Sequence, residues 1–240
     1  RKPVAQIIQA RAGASFALMG ISWLLSGIIG FLLGTAAAFK RGTLLDRSIK
    51  WLAYLQASIP AFWIGLIFLL IFAVKLNWFP IGISVPIGVA RESVTLAERL
   101  YHLILPVLTL SVLGIANVTL HTREKMIDVL SSEYVVFARA RGETDFQIFK
   151  YHAVRNAAMP AVTIHFSYFG ELFGGSVLAE QVFSYPGLGL TLTEAGMKSD
   201  IPLLLGIVMI GAVFVFAGNL TADILNAALN PRLKEEHGNG

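Results

Sequence analysis

Long apolar runs, each followed by a short polar segment, make up most of this chain. Five runs are long enough to cross the hydrocarbon core of a bilayer as helices, at residues 12–39, 51–74, 100–122, 158–182 and 201–226. The first three contain no Asp, Glu, Lys or Arg, and the last contains none before Asp223. A core helix of a soluble protein seldom stays uncharged for so long. The pattern therefore predicts an all-α polytopic membrane protein, with one transmembrane domain over residues 1–240.

The longest regularly charged segment, residues 131–157, lies between the third and fourth runs. Residues 134–141 contain no helix breaker, and Gly142 supplies the left-handed residue that ends many helices. Thr144 and Gln147 then form the sequence pattern of a capping box, which begins a helix. The segment therefore predicts a hairpin of two short helices joined at Gly142 and closed by Pro160, where a new membrane segment begins.

Lysine and arginine are distributed unevenly among the polar segments. They are dense in segments 39–51, 123–155 and 232–234 and sparser in the alternate segments. Because positively charged loops stay in the cytoplasm, we expect the hairpin and the C-terminus to be cytoplasmic. This bias accounts for the net charge of +4, so the charge indicates no nucleic-acid partner. The sequence has no cysteine, which excludes disulfides, zinc–thiolate sites and iron–sulfur clusters within it.

Polar residues inside the runs are candidates for lining a substrate path. The substrate-path candidates are Gln56, Asn117, Glu171, Asn219 and Asp223. Pro60, close to Gln56, is expected to bend its helix. Asn219, Asp223, Asn226 and Asn230 recur every three or four residues, which places them on one helical face. We expect this face to be turned toward the helix bundle, for interhelical hydrogen bonds or for a lined pathway.

Glu171 is the acid placed deepest in a membrane run. It lies eleven residues past Pro160, roughly 16 Å along a helix, which is near the middle of a bilayer. An ionised carboxylate there needs water or a partner. We interpret Glu171 as lining a wet route, as pairing with another helix, or as a protonated structural residue beside the Gly170–Gly174 packing pair. Glu180 is assigned to the polar loop that follows this run.

Small residues recur at four-residue intervals in the first run, at Ser26, Gly30 and Gly34. Such a stripe lets two membrane helices approach closely because no bulky side chain separates them. It therefore predicts ordinary close packing between the first membrane helix and another helix.

Motifs for catalysis and metal binding are absent from the sequence. It contains no GxxxxGK[ST] phosphate loop and no HExxH zinc motif. The histidines are scattered without metal-ligand spacing, and His165 and Glu171 are six residues apart, on different sides of a helix. We therefore predict no catalytic residue, no metal site and no cofactor in this chain.

The segment Ala138-Arg139-Ala140-Arg141-Gly142 resembles the second half of the EAA loop of ABC-importer permeases, which docks into the ATPase subunits. The long spacing from Gly142 to Pro160 is similar to the dipeptide, oligopeptide and nickel branch of that family. Further matches to this branch are Leu76-Asn77-Trp78-Phe79-Pro80-Ile81-Gly82, Phe183-Ser184-Tyr185-Pro186-Gly187-Leu188-Gly189 and Asn230-Pro231-Arg232. Together these motifs are spread over most of the chain, from residue 76 to residue 232.

The resemblance implies a type I ABC-importer permease bundle in which one further span precedes the first run. The sequence is then expected to lack its natural N-terminus, and a genuine five-span protein is the alternative. The resemblance also implies a multi-pass protein of a bacterial or archaeal cytoplasmic membrane. The implied partners are a second homologous permease subunit, two cytoplasmic ATPase subunits that hold ATP and magnesium, and an extracytoplasmic solute-binding protein. The implied cargo is a peptide or a small metal–chelate.

The hairpin is expected to couple those ATPases to the membrane helices. The predicted ATPase-coupling residues are Glu133, Tyr134, Phe137, Ala138, Arg139, Arg141, Gly142, Asp145, Phe146 and Phe149. Their aromatic side chains would supply apolar docking area, and their charged side chains would set the register. The alternative hypothesis is a self-contained ion-coupled transporter or channel, in which Glu171 carries a proton or cation.

Overall fold

The architecture comes from a computed structural model, which describes residues 3–81 and 95–229 and, at position 155, the backbone alone. Every regular element in these residues is helical, in agreement with the predicted all-α class. The α-helices are α1 (Val4–Phe39), α2 (Leu44–Ser58), α3 (Ala61–Phe68), α4 (Leu96–Leu130), α5 (Glu133–Ala140), α6 (Asp145–Ile148), α7 (Val154–Ser167), α8 (Phe169–Val182), α9 (Leu188–Met197) and α10 (Ile201–Leu229). Two π-helical segments, Leu69–Lys75 and Phe149–Ala153, continue α3 and α6.

Three described helices, α1, α4 and α10, are each long and apolar enough to cross a membrane. The bent pair Leu44–Ser58 and Ala61–Lys75 makes a fourth if it crosses as one span. The run predicted at 158–182 is divided between α7 and α8, each of 14 residues. A straight helix of that length is too short to cross the hydrocarbon core. The predicted count of five spans is therefore not confirmed.

The helix ends differ from the ends of the apolar runs. The first helix begins at Val4 rather than at residue 12, and α4 extends beyond 100–122 on both sides. Hydropathy marks the apolar part of a helix, whereas backbone hydrogen bonding continues into the polar residues beyond it. The Asn230-Pro231-Arg232 match lies outside the described residues.

Proline has opposite effects at two places in the chain. Before Pro60 helix α2 ends, since proline has no N–H to donate, and the predicted bend is confirmed by the bent pair. At Pro160 the expectation of a boundary is wrong, because α7 begins earlier, at Val154, and passes through the proline. Proline inside a membrane helix is tolerated where neighbouring groups satisfy the freed carbonyl.

The described residues divide between two compact units, and α1, α4 and α10 contribute to both. The first unit comprises Arg1–Leu24, Ile59–Leu113 and Gly170–Val215, and the second comprises Leu25–Ser58, Gly114–Phe169 and Phe216–Gly240. A core of Leu188, Ala195, Leu203 and Ile207 lies in the first unit. A core of Ala38, Met126, Ala153 and Ala157 lies in the second.

The small-residue stripe of α1 packs against α4 in the second unit, as predicted. A Cβ added to Gly30 would lie 2.6 Å from Val118 Cβ, which is closer than atoms can approach. One added to Gly34 would lie 2.6 Å from the Thr119 carbonyl oxygen. Glycine is therefore required at both positions if the two helices are to keep this separation.

Candidate docking hairpin

The turn between α5 and α6 is built by local backbone chemistry. Gly142 has a φ of +88°, a conformation that glycine adopts without steric cost. Its N–H donates to the Arg139 carbonyl at 2.9 Å, and the Glu143 N–H donates to the Ala138 carbonyl at 3.1 Å. These two bonds form a Schellman motif, which satisfies the last carbonyls of α5. The predicted helix stop at Gly142 is confirmed.

The next helix begins with the predicted capping box. The Gln147 N–H donates to Thr144 Oγ1 at 3.4 Å, and the Thr144 N–H donates to Gln147 Oε1 at 2.8 Å. Asp145 lies in the first turn, where the helix dipole favours a negative charge. The turn therefore has its conformation fixed on both sides of Gly142.

A small apolar core lies beneath the turn. Val135, Ala138 and Ile148 are each 0% exposed and pack together against Val129 and Leu130 of α4. This core holds α5 and α6 to the end of α4. The side chain of Ala138, one of the predicted ATPase-coupling residues, is therefore enclosed by the hairpin itself.

Aromatic side chains project from the outer surface of the hairpin. Tyr134, Phe137 and Phe146 are 44%, 69% and 70% exposed, as their predicted docking role requires. Val136 and Tyr151 are also exposed, and the sequence prediction missed them. An exposed apolar cluster of this kind on a polar segment is typical of an interaction surface.

Phe149, predicted as a fourth docking aromatic, has a different environment. Its ring is half-buried and packs against the core of Ala38, Met126, Ala153 and Ala157. It also meets the ring of Phe39 edge-on, with 6.1 Å between centroids. Phe149 therefore anchors the hairpin to α1 and α4 rather than presenting a surface.

The predicted register charges are partly paired within the hairpin. Arg139 Nη2 lies 3.2 Å from Asp145 Oδ1 across the glycine turn, and both side chains are more than half exposed. Arg141 Nη2 lies 2.9 Å from Glu143 Oε1, while Glu133 is exposed. Exposed pairs of this kind contribute only about 0–1 kcal/mol each, so these side chains can exchange partners readily.

Glu143 connects the turn to the π-helical segment, and the sequence prediction missed it. Its Oε2 lies 2.8 Å from Nε2 of His152, and its Oε1 accepts from Arg141. The hydrogen bond from His152 holds the pKa of the Glu143 carboxyl below its usual value, and the bond from Arg141 acts in the same direction. Glu143 therefore remains a carboxylate that joins the end of α5 to His152.

The second unit also contains an ion pair that joins α2 to α4. Arg123 Nε and Nη2 donate to Asp46 Oδ1 and Oδ2 at 2.6 and 2.9 Å. Asp46 is 1% exposed and also accepts from the Gly42 N–H at 2.9 Å. A two-point bond between guanidinium and carboxylate fixes orientation as well as distance. Nothing in the sequence pattern singled out this pair.

The substrate-path candidates do not lie in one place. Gln56 and Asn117 are half-buried in the second unit, and Asn219 and Asp223 are exposed in the same unit. The prediction that the stripe of α10 faces this chain's own bundle is wrong, because Asn219, Asp223 and Asn226 are all exposed on it. Asn230, the fourth member, lies outside the described residues.

The two acids of α8 differ from their assignments. Glu171, interpreted as the deep acid, lies in the first turn of α8 with its side chain exposed on this chain. Gly174 has open space beside it, so the predicted packing pair meets no neighbour there. Glu180, assigned to a loop, is helical and 0% exposed. The buried acid of α8 is therefore Glu180.

Ring nitrogens of two histidines in the second unit lie near hydroxyl groups. His121 Nε2 is 3.0 Å from Tyr168 Oη, and His165 Nε2 is 3.5 Å from Ser26 Oγ. Across residues 3–81 and 95–229, no three side chains among His, Cys, Asp and Glu are grouped to hold a metal ion. Each of these two histidines therefore contacts a hydroxyl group.

A family model described as "Binding-protein-dependent transport system inner membrane component" matches residues 30–235. The match covers the hairpin and both cores. The chain belongs to this family. Membership in the family confirms the resemblance to importer permeases, which was predicted from the EAA-like segment and the loop motifs.

Individual members of this family of transport components align over nearly the whole chain. The oligopeptide transport system permease protein AppB of Bacillus subtilis is 35% identical over 232 residues, covering 97% of this chain and 72% of the relative. The di/tripeptide transport system permease protein DppB of Pseudomonas aeruginosa is 32% identical, covering 93% and 71%. The alternative of a self-contained ion-coupled transporter is not favoured by these matches.

Chains of two solved ABC transporters share the fold. A chain of the inward-facing MetNI methionine ABC transporter superposes with a TM-score of 0.73 at 16% identity, covering 96% of this chain and all of that chain. A chain of an amino acid ABC transporter with histidines gives 0.60 at 13% identity, covering 95% and 94%. These likenesses show an importer-permease fold.

Proposed function

We propose that this chain is the permease subunit of an ATP-driven peptide importer, and that its 131–157 hairpin receives the motion of a cytoplasmic ATPase. The observation that carries the proposal is the exposed group of Tyr134, Phe137 and Phe146 above the buried core of the hairpin. Exposed apolar side chains next to charged ones match the composition of a protein interface, which has an apolar centre and a polar rim.

The packing of the second unit supports transmission of force. The hairpin core contacts Val129 and Leu130 of α4, and Phe149 contacts Phe39 of α1. A displacement of the hairpin would therefore move the adjoining ends of α4 and α1 with it. This is a rigid-body switch in which the ATPases supply the free energy. ATP and magnesium would be held by those partners.

The proposed assembly contains two such permease chains, two ATPase subunits and a solute-binding protein outside the membrane. We place the hairpin and the C-terminus in the cytoplasm because Lys and Arg are concentrated in segments 39–51, 123–155 and 232–234. The membrane is the cytoplasmic membrane of a bacterium or archaeon. In it, the bent pair 44–75 and the divided segment 154–182 each cross as one broken span.

The proposed cargo is a peptide, because the relatives AppB and DppB carry peptide transport in their names. Asn219 and Asp223, exposed polar residues of the second unit, supply hydrogen-bond partners for such a cargo. Since an exposed acid in a membrane helix needs water or a partner, Asp223 suits a hydrated route at a contact with the second permease chain.

The coupling proposal is tested with the complex assembled from this chain and the subunits encoded beside it. Phe137→Ala/Phe146→Ala is expected to abolish co-purification of the ATPase or its stimulation by binding protein, because the docking area is removed. The matched control is Phe62→Ala/Phe216→Ala, which removes two exposed phenylalanines from α3 and α10. Normal ATPase binding and coupling in the hairpin variant would refute the proposal.

The cargo is tested separately in proteoliposomes that contain the complex. Uptake of a labelled oligopeptide is expected, and unlabelled peptides should compete with it while a nickel–chelate should not. Uptake of the chelate alone would refute the peptide assignment and leave the coupling role of the hairpin intact.

A further inference from the structure

A carboxylate with no cation beside it is enclosed in the first unit. Glu180 of α8 is 0% exposed, and no Lys, Arg or His of the described residues forms an ion pair with it. Its Oε1 accepts from Ser15 Oγ at 2.5 Å, and its Oε2 accepts from the Leu190 N–H at 3.0 Å. The Gly189 N–H also donates to it. Three neutral donors thus replace the missing cation.

Two of these donors, the Gly189 and Leu190 N–H groups, come from the beginning of α9, which has no cap of its own. Gly187 occupies the N-cap position and has no side chain to accept from the first amides of the helix. Ser15 Oγ accepts from the Leu188 N–H at 2.7 Å, and Glu180 accepts from Leu190. Residues of α1 and α8 therefore cap α9 from outside, and the positive end of its dipole favours the carboxylate.

Two glycines of the 183–189 motif make room for this arrangement. A Cβ at Gly187 would overlap Glu180 Cδ and Ser15 Oγ. A Cβ at Gly189 would lie 2.5 Å from Val177 Cα and 3.0 Å from Glu180 Oε2. The motif therefore leaves space for the Glu180 carboxylate only because positions 187 and 189 are glycine. We call Ser15, Glu180 and residues 187–190 the clasp.

Apolar packing continues from the clasp in the same unit. Leu188, Ala195, Leu203 and Ile207 form a core that joins α9 to the start of α10. Val4, Ile7, Ile8 and Ala12 of α1 pack against this core. Opening the clasp would therefore expose apolar surface and also leave a carboxylate and three backbone amides without partners, which is unfavourable.

We propose that Glu180 is a positioning residue which, through the clasp, holds α9 to α8 and to the N-terminal part of α1 as one rigid body throughout the transport cycle. Conformational change during transport then occurs outside this body. The proposal rests on the proposed function only in its use of nucleotide states. The contacts of Glu180 are independent of that function.

The test measures the distance between α1 and α9 directly. Nitroxide labels are placed at Gln9→Cys and Met197→Cys, both exposed positions, and the chain has no cysteine of its own. The complex, made with cysteine-free partners in nanodiscs, is measured by double electron–electron resonance without nucleotide and with ATP trapped. ATPase stimulation by binding protein establishes that the labelled complex cycles. We expect one narrow distance, unchanged between the two states.

Glu180→Ala is expected to broaden this distance distribution, because α9 loses the carboxylate that caps it. Glu180→Gln should give a smaller broadening, since one oxygen still accepts from Ser15 but the amide group cannot accept from Leu190. The matched control is Glu194→Gln, an exposed glutamate of α9 that lies 3.6 Å from Lys198 and should leave the distribution narrow. If Glu180→Ala does not fold, two tests of the clasp remain. One is the comparison of the wild-type distance between nucleotide states. The other is Gly187→Ala, whose added Cβ overlaps Glu180 and Ser15 and should also broaden the distribution.

Two results would overturn the proposal. A wild-type distance that shifts between nucleotide states means that the clasp opens. A narrow, unchanged distance in Glu180→Ala means that the carboxylate positions nothing. If no ATPase binds, the proposed function fails. Broadening of the α1–α9 distance distribution by Glu180→Ala in the isolated chain would still support the role of the clasp, so the two failures can be distinguished.

Discussion

Among the residues that the structure describes, two carboxylates are almost completely buried, one in each compact unit, and they are stabilised in opposite ways. Asp46, 1% exposed, forms a two-point ion pair with Arg123. Glu180, 0% exposed, is held by the Ser15 hydroxyl and by backbone amides at the start of α9. Asp46 is therefore stabilised by a full opposite charge, whereas Glu180 is stabilised by the partial charges of a hydroxyl and of the N–H groups at a helix end. Equal burial therefore does not indicate equal dependence on a single partner.

Removing the cation should have the largest effect, since it leaves a buried charge with one backbone donor. We expect Arg123→Ala to lower the free energy of unfolding by about 3–5 kcal/mol, as for other broken buried pairs. The measurement is thermal or denaturant unfolding in detergent. The double variant Asp46→Asn/Arg123→Met, which removes both charges and nearly keeps the side-chain volumes, should be more stable than Arg123→Ala. A double variant no more stable than the single one would contradict this interpretation.

Removing one neutral donor should have a smaller effect. We expect Ser15→Ala to cost about 1–3 kcal/mol, because Glu180 loses one of its donors and the Leu188 N–H loses its acceptor. The control is Thr221→Ala, which removes an exposed hydroxyl that donates only within its own helix, to Ala217. Unfolding under the same conditions as for Arg123→Ala gives the ratio of the two effects. If Ser15→Ala were as damaging as Arg123→Ala, the contrast between the two carboxylates would not hold.

Removing the carboxylate of Glu143, which lies at the surface and is only partly buried, should have the smallest effect, and that effect depends on pH. The pKa of Glu143 is lowered from 4.5 by His152 and Arg141, so the folded hairpin favours the carboxylate. Its stabilisation is therefore complete above pH 4.5 and is lost as the pH falls through the lowered pKa. The protection of the 140–150 amides against hydrogen exchange, measured relative to the unstructured rate at each pH, should decrease in that range, and Glu143→Gln should remove the change. The same pH dependence in the glutamine variant would contradict the assignment to Glu143.

Features that depend on nearby residues could be predicted from the sequence. The stop at Gly142 and the capping box at Thr144 and Gln147 use residues within a few positions of each other. The close packing of Gly30 and Gly34 follows from a helical repeat within α1. In each of these cases the residues that determine the structure lie within one short segment.

The buried carboxylates could not be predicted in this way, since their partners are distant in the chain. Asp46 and Arg123 are 77 positions apart, and Ser15 and Glu180 are 165 apart. Glu171 was preferred to Glu180 because it lies in the middle of an apolar run, but position in a run gives depth along a helix and not the side on which neighbours pack. Similarly, Ala138 and Phe149 match the pattern of a docking surface, yet both are turned toward the hairpin's own support.

The glycine stripe of α1 has a mechanical consequence for the second unit. Between Gly30 or Gly34 and α4 there is no flexible side chain that could be compressed before the backbones meet. A displacement of α4 is therefore transmitted directly to α1, and the two helices move together under load.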